Sequence, residues 1–407
     1  MEHILLSHVT SNANSREAAL AFFETESLIA FHTSLVLPGW LRALASGKRF
    51  FLPQLRPFLN SHPFWELLRL FCRKFSRLQP LVERMPWGTI EQVTRNFDLA
   101  VARAVLKSSD ACLVYAYMDA AEQTFLAARQ RGIRTIYELP TPYWRFTHGM
   151  VVAEAEYQPE WAMTLPVMDE NSEAMQRRDR ELQLADLVIV PSDLVRDSLR
   201  LAPPFQAQVH VVPYGCPELK EAEVESLRFH VSSLKPARLR VLYVGSLNQG
   251  KGLSYLAEAM TGLENLATLT VIGSRTSAAP CAALDRLLAT HRHRSGLSHD
   301  EVLAEMRQHD VLVLPTLYEG LALVLLEAMA CGLTVITTPH SGIAGLIEDG
   351  QEGLLVPIRS ATAIHERLRQ LAGNAELLQT MRQASLTWSR DHSWQRYREQ
   401  LRSVVVL

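Results

Sequence analysis

Two parallel-sheet α/β units, each Rossmann-like, are what this sequence predicts, and three observations carry the prediction. At 407 residues the chain is long for one hydrophobic core and comfortable for two. Short apolar strands alternate with helices in both halves, the pattern of a doubly wound parallel sheet. The stretch 311–338, VLVLPTLYEGLALVLLEAMACGLTVITT, reads as strand, loop, buried helix and strand, a βαβ unit.

Within that stretch Val311–Leu314 is too short for a helix and rich in Val. Pro315–Gly320 breaks the pattern. Leu323–Ala330 is apolar on nearly every face, so it belongs in a core. Gly332 stops it, and Leu333–Thr338 starts the next strand. Ligands of such sheets sit beyond the carboxyl ends of the strands. Glu319 and Glu327 flank that position in oily surroundings. The amides of Gly320, Leu321, Ala322, Leu323 and Val324 open a helix, where donors lack partners and the dipole is positive. A diphosphate fits that end. Carboxylates accept hydrogen bonds, so the two glutamates suit the hydroxyls of a sugar and a ribose. The plainer alternative is that Glu327 caps its own helix and Glu319 is a solvated loop residue.

EGLALVLLEAMACG resembles the E-x7-E signature of family 4 glycosyltransferases. ADLVIVPSDLVRDSL, VHVVPYG, LYVGSLNQGKGL, HDVLVLPTLYEGL and DHSWQRY follow in that family's order, so the resemblance runs from about Leu184 to Trp394. The first 180 residues match weakly. The resemblance implies the GT-B fold: two Rossmann-like domains facing across a cleft, here 1–215 and 216–393, with a helix at 394–407 crossing back to the first. It also implies retaining transfer of a sugar from a nucleotide diphosphate sugar to a glycan, lipid-linked or small-molecule hydroxyl acceptor, as in polysaccharide biosynthesis. No metal or other cofactor is implied. Glu319 would hold the sugar and Glu327 the ribose.

In the second half, Arg240–Val244 is a strand that runs into Gly245–Gly252, followed by a helix from Leu253. Such a Gly-rich turn lets backbone approach a phosphate, and Lys251 adds a positive charge. Relatives usually carry Arg where Ser246 stands. Lys251 with the helix N-terminus then suffices, or Arg275 substitutes. Failing both, the chain is a catalytically silent nucleotide-sugar-binding protein. Thr268–Ile272 is the next strand. Ser295, Gly296 and Leu297 precede a helix, and the resemblance places them against the base. His291, His293 and His299 invite a metal reading, but their spacing and the lack of a nearby Cys or acid cluster argue against one. Ile343–Ile347 reads as a short helix, Gly353–Val356 as a strand, and 361–373 and 375–390 as amphipathic helices.

In the first half, His3–Val9 is a strand, 10–15 a polar loop and Arg16–Ala30 a helix. Asn12 and Asn14 either touch donor or acceptor or make the turn and N-cap. Cys112–Tyr117 and Arg134–Leu139 are strands around a helix at 120–131. After them comes PTPYWRFTHGM, an aromatic loop. Relatives carry a histidine just after this strand. Here Glu138 takes that place, or His148 reaches in. Tyr143 and Trp144 stack on a sugar or simply pack. Residues 218–238 are charged and irregular, and read as a linker.

Residues 40–84 hold nine Lys or Arg against two acids, a net +7, with eight interleaved aromatics. From 64 to 78 the apolar residues fall on one helical face and Arg69, Arg73 and Arg77 opposite. This face either lies on an anionic membrane or packs on the core. The overall net charge of −2 gives no pointer to nucleic acid. Five scattered cysteines point to a reducing compartment. The start lacks a basic n-region and no apolar run reaches about 18 residues, so a cytoplasmic protein, peripheral at most on the membrane's inner face, is expected.

Overall fold

The computed structural model describes residues 3–36, 53–74, 89–218 and 238–405. Two all-parallel sheets divide the chain. The first holds β1 (Ile4–Ser7), β2 (Leu28–Thr33), β3 (Leu59–Ser61), β4 (Leu113–Tyr117), β5 (Arg134–Glu138), β6 (Leu187–Val190) and β7 (Gln208–Val211), in the order β3-β2-β1-β4-β5-β6-β7. The second holds β8 (Leu239–Val244), β9 (Ala267–Ile272), β10 (Arg292–Arg294), β11 (Val311–Leu314), β12 (Thr334–Thr337) and β13 (Gly353–Leu355), in the order β10-β9-β8-β11-β12-β13. In both sheets the order reverses beside the first strand, which opens a crevice at the strands' carboxyl ends.

Helices cover the faces. In the first unit they are α1 (Ala13–Phe23), α2 (Phe64–Lys74), α3 (Ile90–Lys107), α4 (Glu122–Gln130), α5 (Trp144–Tyr157), α6 (Glu173–Leu184) and α7 (Asp193–Ser198). In the second they are α8 (Leu253–Met260), α9 (Ala282–Thr290), α10 (His299–Met306), α11 (Leu323–Ala330), α12 (Ala361–Gly373) and α13 (Ala375–Asp391). Strands packed on both faces must be apolar throughout, which is why β4, β6, β11 and β12 are buried at every residue. Leu325, Leu326, Ala328 and Met329 of α11 are likewise fully buried, each large side chain adding roughly 2 kcal/mol of transfer free energy.

A last helix, α14 (Trp394–Val405), packs against α1. Tyr397, Leu401 and Val405 face inward. Arg398 lies 2.6 Å from Glu17 and 2.9 Å from Glu24. The chain crosses between the sheets where Cys216 pairs with Ser393.

Several elements differ from the sequence reading. The first helix ends at Phe23 rather than Ala30, because the chain turns through Glu26 (φ 56°) and enters β2. The aromatic stretch after β5 is the helix α5, not a loop. Residues 343–347 form turns, and the short helical piece is Pro339–Ser341. Part of the α2 face is open to solvent: Phe64, Leu67 and Phe71 are 68%, 49% and 57% exposed, Leu68 is half-buried, and Phe75 and Leu78 lie outside the described residues. Arg69 pairs with the buried Glu66 at 2.8 Å. Much of the basic segment 40–84 and of the linker 218–238 lies outside the described residues. No helix among the described residues is long and apolar enough to cross a membrane.

Candidate active site

The Gly-rich turn after β8 and the loop after β11 meet at the carboxyl edge of the second sheet. Lys251 Nζ makes an ion pair with the Glu319 carboxylate, and each side chain is about one-fifth exposed. Burial pulls the Lys251 ammonium down to about 8. The touching carboxylate favours the charged form, so the pair stands at neutral pH. Gly250 carbonyl accepts from Leu317 N–H (2.9 Å) and Thr316 Oγ1 (3.1 Å), which fixes turn against loop. Gly252 ends the turn with φ 73°, and a Cβ there would stand 2.0 Å from the Pro315 carbonyl oxygen, so only glycine fits. Ser246 is exposed on the turn. Arg275, whose backbone bridges to Leu247 of the turn, is ion-paired with Asp285.

Next, α11 begins at Leu323 with Ala322 as N-cap and no side-chain cap. An uncapped helix start leaves amides for a ligand. Two amides of the approach are already used, by Glu319 N–H to the His340 carbonyl (2.9 Å) and Ala322 N–H to that of Ser341 (3.0 Å). One turn into the helix, Glu327 has a side chain about one-fifth exposed, and burial raises its carboxyl to about 7. His299 Nδ1, at the start of α10, lies 3.8 Å from it. That helix is held by a capping box between Ser298 and Glu301. Ser295 and Gly296 immediately before it are exposed, and Leu297 is half-buried against the core. The sequence singled out His299 only as a metal candidate. Among the described residues no group of three or more His, Cys, Asp or Glu could hold a metal ion.

The first unit closes on this edge. Ser192 Oγ donates to the Gly320 carbonyl (2.5 Å). A Cβ on Gly320 would stand 1.8 Å from the Pro140 carbonyl oxygen, so glycine lets the two backbones touch. Phe146 and His340 rings lie 5.6 Å apart.

Of the first-half candidates, Asn14, Glu138 and Tyr143 are buried, whereas Asn12 is exposed. Asn12 N-caps α1 by accepting from Ser15 N–H at 3.1 Å. Asn14 and Glu138 meet each other in the interior rather than lining a cleft. Glu138, 1% exposed, accepts from Tyr115 OH (2.6 Å), Tyr214 OH (2.9 Å) and Asn14 Nδ2 (3.1 Å). Burial raises its carboxyl, and these three hydrogen bonds oppose the shift. Tyr214 escaped the sequence reading because a Pro-Tyr-Gly turn carries no sign of a partner 76 residues away. Tyr143 is 2% exposed, so it presents no face to a sugar. Its hydroxyl, Trp144 Nε1 (2.7 Å) and the Arg145 guanidinium all converge on Asp179 of α6. His148 sits on α5, 3.8 Å from Glu170.

Residues 228–388 match the family model of glycosyl transferases group 1. An uncharacterized glycosyltransferase of Methanocaldococcus jannaschii is 28% identical over 38% of this chain, which spans only 44% of that relative's length. Alpha-D-kanosaminyltransferase of Streptomyces kanamyceticus is 25% identical over 72% of this chain and 75% of its own. Among solved structures, Anabaena HepE in complex with UDP-glucose superposes over 100% of both chains with a TM-score of 0.63 at 15% identity. The whole chain therefore has the GT-B fold, and residues 228–388 are similar to glycosyl transferases group 1.

Proposed function

We propose that this chain is a retaining glycosyltransferase that moves a hexose-like sugar from a nucleoside diphosphate sugar to a hydroxyl acceptor, without a metal. One observation carries the reading: Lys251 and Glu319 meet at the mouth of an uncapped helix whose first turns also bear Glu327. The donor's diphosphate takes over Lys251 and the amides at Leu323 and Val324, releasing Glu319 to the sugar hydroxyls. As the glycosidic bond breaks, negative charge grows on the phosphate, and the lysine and helix dipole stabilise it. Glu319 faces the positive charge developing on the sugar. Glu327 accepts from ribose hydroxyls, with Ser295–Leu297 beside the base. The departing phosphate takes the acceptor's proton, so no enzymic base is required. The acceptor oxygen bonds the anomeric carbon on the face that the phosphate leaves, so no enzymic nucleophile is required. Contacts such as Ser192 to Gly320 bring the domains together and keep water out.

Support for the donor class comes from HepE, solved with UDP-glucose. A thermal-shift screen against UDP-, GDP-, ADP- and dTDP-sugars should raise the melting temperature with one base in preference to the others. The stabilising donor, incubated with glycan or polyprenyl-diphosphate-linked sugar acceptors, should then release nucleoside diphosphate. No shift with any donor sinks the reading. A shift without release under any acceptor leaves a nucleotide-sugar-binding protein.

The acceptor is lipid-linked, and α2 brings the chain to it. Three exposed apolar side chains on a helix within a strongly basic segment suit an anionic bilayer. Flotation with phosphatidylglycerol vesicles should recover the protein. Reversing Arg69, Arg73 and Arg77 to Glu should lower recovery by roughly tenfold at low salt. Recovery that is nil, or indifferent to the reversal, refutes membrane contact.

A further inference from the structure

The helix α5 belongs by sequence to the first unit, yet near its far end one side chain, Glu154, is buried against the second. Its root is fixed by Tyr143, Trp144 and Arg145 on Asp179 of α6. Fourteen residues at 1.5 Å each carry it about 21 Å. At its last turn Glu154 is 0% exposed and accepts three hydrogen bonds, all from the second unit. They come from Gln249 Nε2 in the Gly-rich turn (2.8 Å), Tyr255 OH on α8 (2.7 Å) and Arg359 Nε after β13 (2.7 Å). Gln249 is itself 0% exposed, and its Oε1 accepts from Ser254 N–H at 3.0 Å.

The contact continues beyond the helix. Gln249 N–H donates to Thr164 Oγ1 (2.9 Å), so the backbone of the turn is bound directly by the first unit. Trp161 is buried in the same core as the second sheet. Arg286 reaches Glu160 at 2.8 Å. Arg359 has φ 61°, a left-handed backbone that a non-glycine residue adopts at a cost, and its guanidinium lies 4.4 Å over the Tyr157 ring. A strained residue, a fully buried carboxylate and a turn amide all converge on one strut.

We propose that residues 144–164 couple domain closure to the conformation of the Gly-rich turn, with Glu154 as the positioning residue for Lys251, two residues past Gln249. When the strut is seated, the turn is held by Glu154 below and by Thr316 and Leu317 beside it, and Lys251 is aimed at Glu319. When the domains part, Gln249 loses both its side-chain and its backbone anchor, and the turn loosens. The consequence for turnover rests on the transferase reading; the mechanical coupling does not.

Hydrogen exchange on the full unliganded chain tests it. Glu154→Gln keeps the shape but presents an amide NH2 to a set of donors. Amides at 245–252 should exchange roughly tenfold faster, while the core strand 267–272 keeps its rate. The swap Glu154→Gln with Gln249→Glu restores a carboxylate–amide bond in reverse and should return the turn to within about threefold of the wild type. Tyr255→Phe, which removes one bond, should accelerate the turn by a smaller factor in the same direction. Wild-type exchange at 245–252 in Glu154→Gln overturns the proposal. So does equal acceleration of 267–272, or a swap as fast as the single variant. A wild type that binds no nucleotide sugar would sink the transferase reading and leave these rates unaffected.

Discussion

Lys251→Met should lower the rate of nucleoside diphosphate release by about 10²–10³-fold, the scale lost when one preorganised charge is taken from a developing anion. The methionine fills the same space, so the fold has no reason to change. What goes is the cation that pairs with Glu319 in the free protein and meets the leaving phosphate in the reaction. Glu319→Gln should also slow turnover, while leaving Lys251 free for the diphosphate. The two variants differ in donor affinity: Lys251→Met weakens it, Glu319→Gln changes it little. Single-turnover kinetics with calorimetric donor titration reads both quantities. Wild-type turnover in either variant, with a verified donor, overturns these roles.

Glu327→Gln should stabilise the free protein at alkaline pH and weaken it as a donor binder. Burial raises the Glu327 carboxyl from 4.5 to about 7. The folded state therefore binds more protons than the unfolded between those values, and stability falls as pH rises through that window. The loss above pH 7 reaches at most about 3 kcal/mol, and less because a fifth of the side chain meets solvent. The amide carries no charge to desolvate. Glu327→Gln should melt roughly 2–6 °C above the wild type at pH 8 and together with it at pH 4. Donor binding should weaken by roughly tenfold, since ribose hydroxyls lose a charged acceptor. A variant that melts below the wild type at pH 8 would show that the carboxylate serves the fold rather than the ligand.

The second unit was legible because local rules and tertiary demand agree there. Val311–Leu314, Leu323–Ala330 and Ala361–Gly373 have the same bounds in sequence pattern and in structure, each an apolar period closed by a turn former. The first unit was harder. In AFFETESLIAF no Gly or Pro marks the end of α1, and Glu26 takes a positive φ that its side chain does not announce. The start of α5, within PTPYWRFTHGM, reads as a loop because the helix's apolar residues follow no single face. They are shared between two domains, so no one-sided period results. Glu154 was invisible for the same reason. A lone acid in a polar stretch gives no sign that donors 95, 101 and 205 residues later will surround it. Glu319 and Glu327 stood out because acids amid oily neighbours are costly without a ligand to justify them.

The pairing of α14 with α1 bears on how the chain is made. Glu17 and Arg398 are 381 positions apart, and α1 gains α14 as a packing partner only when Tyr397, Leu401 and Val405 arrive. A ribosome delivers residues from one end, so the unit begun first is finished last. Until then α1 lacks the helix that packs on it and shows the kind of apolar surface that chaperones hold. Emergence of residues 394–405, rather than of the opening two hundred residues, sets when that unit acquires its full stability.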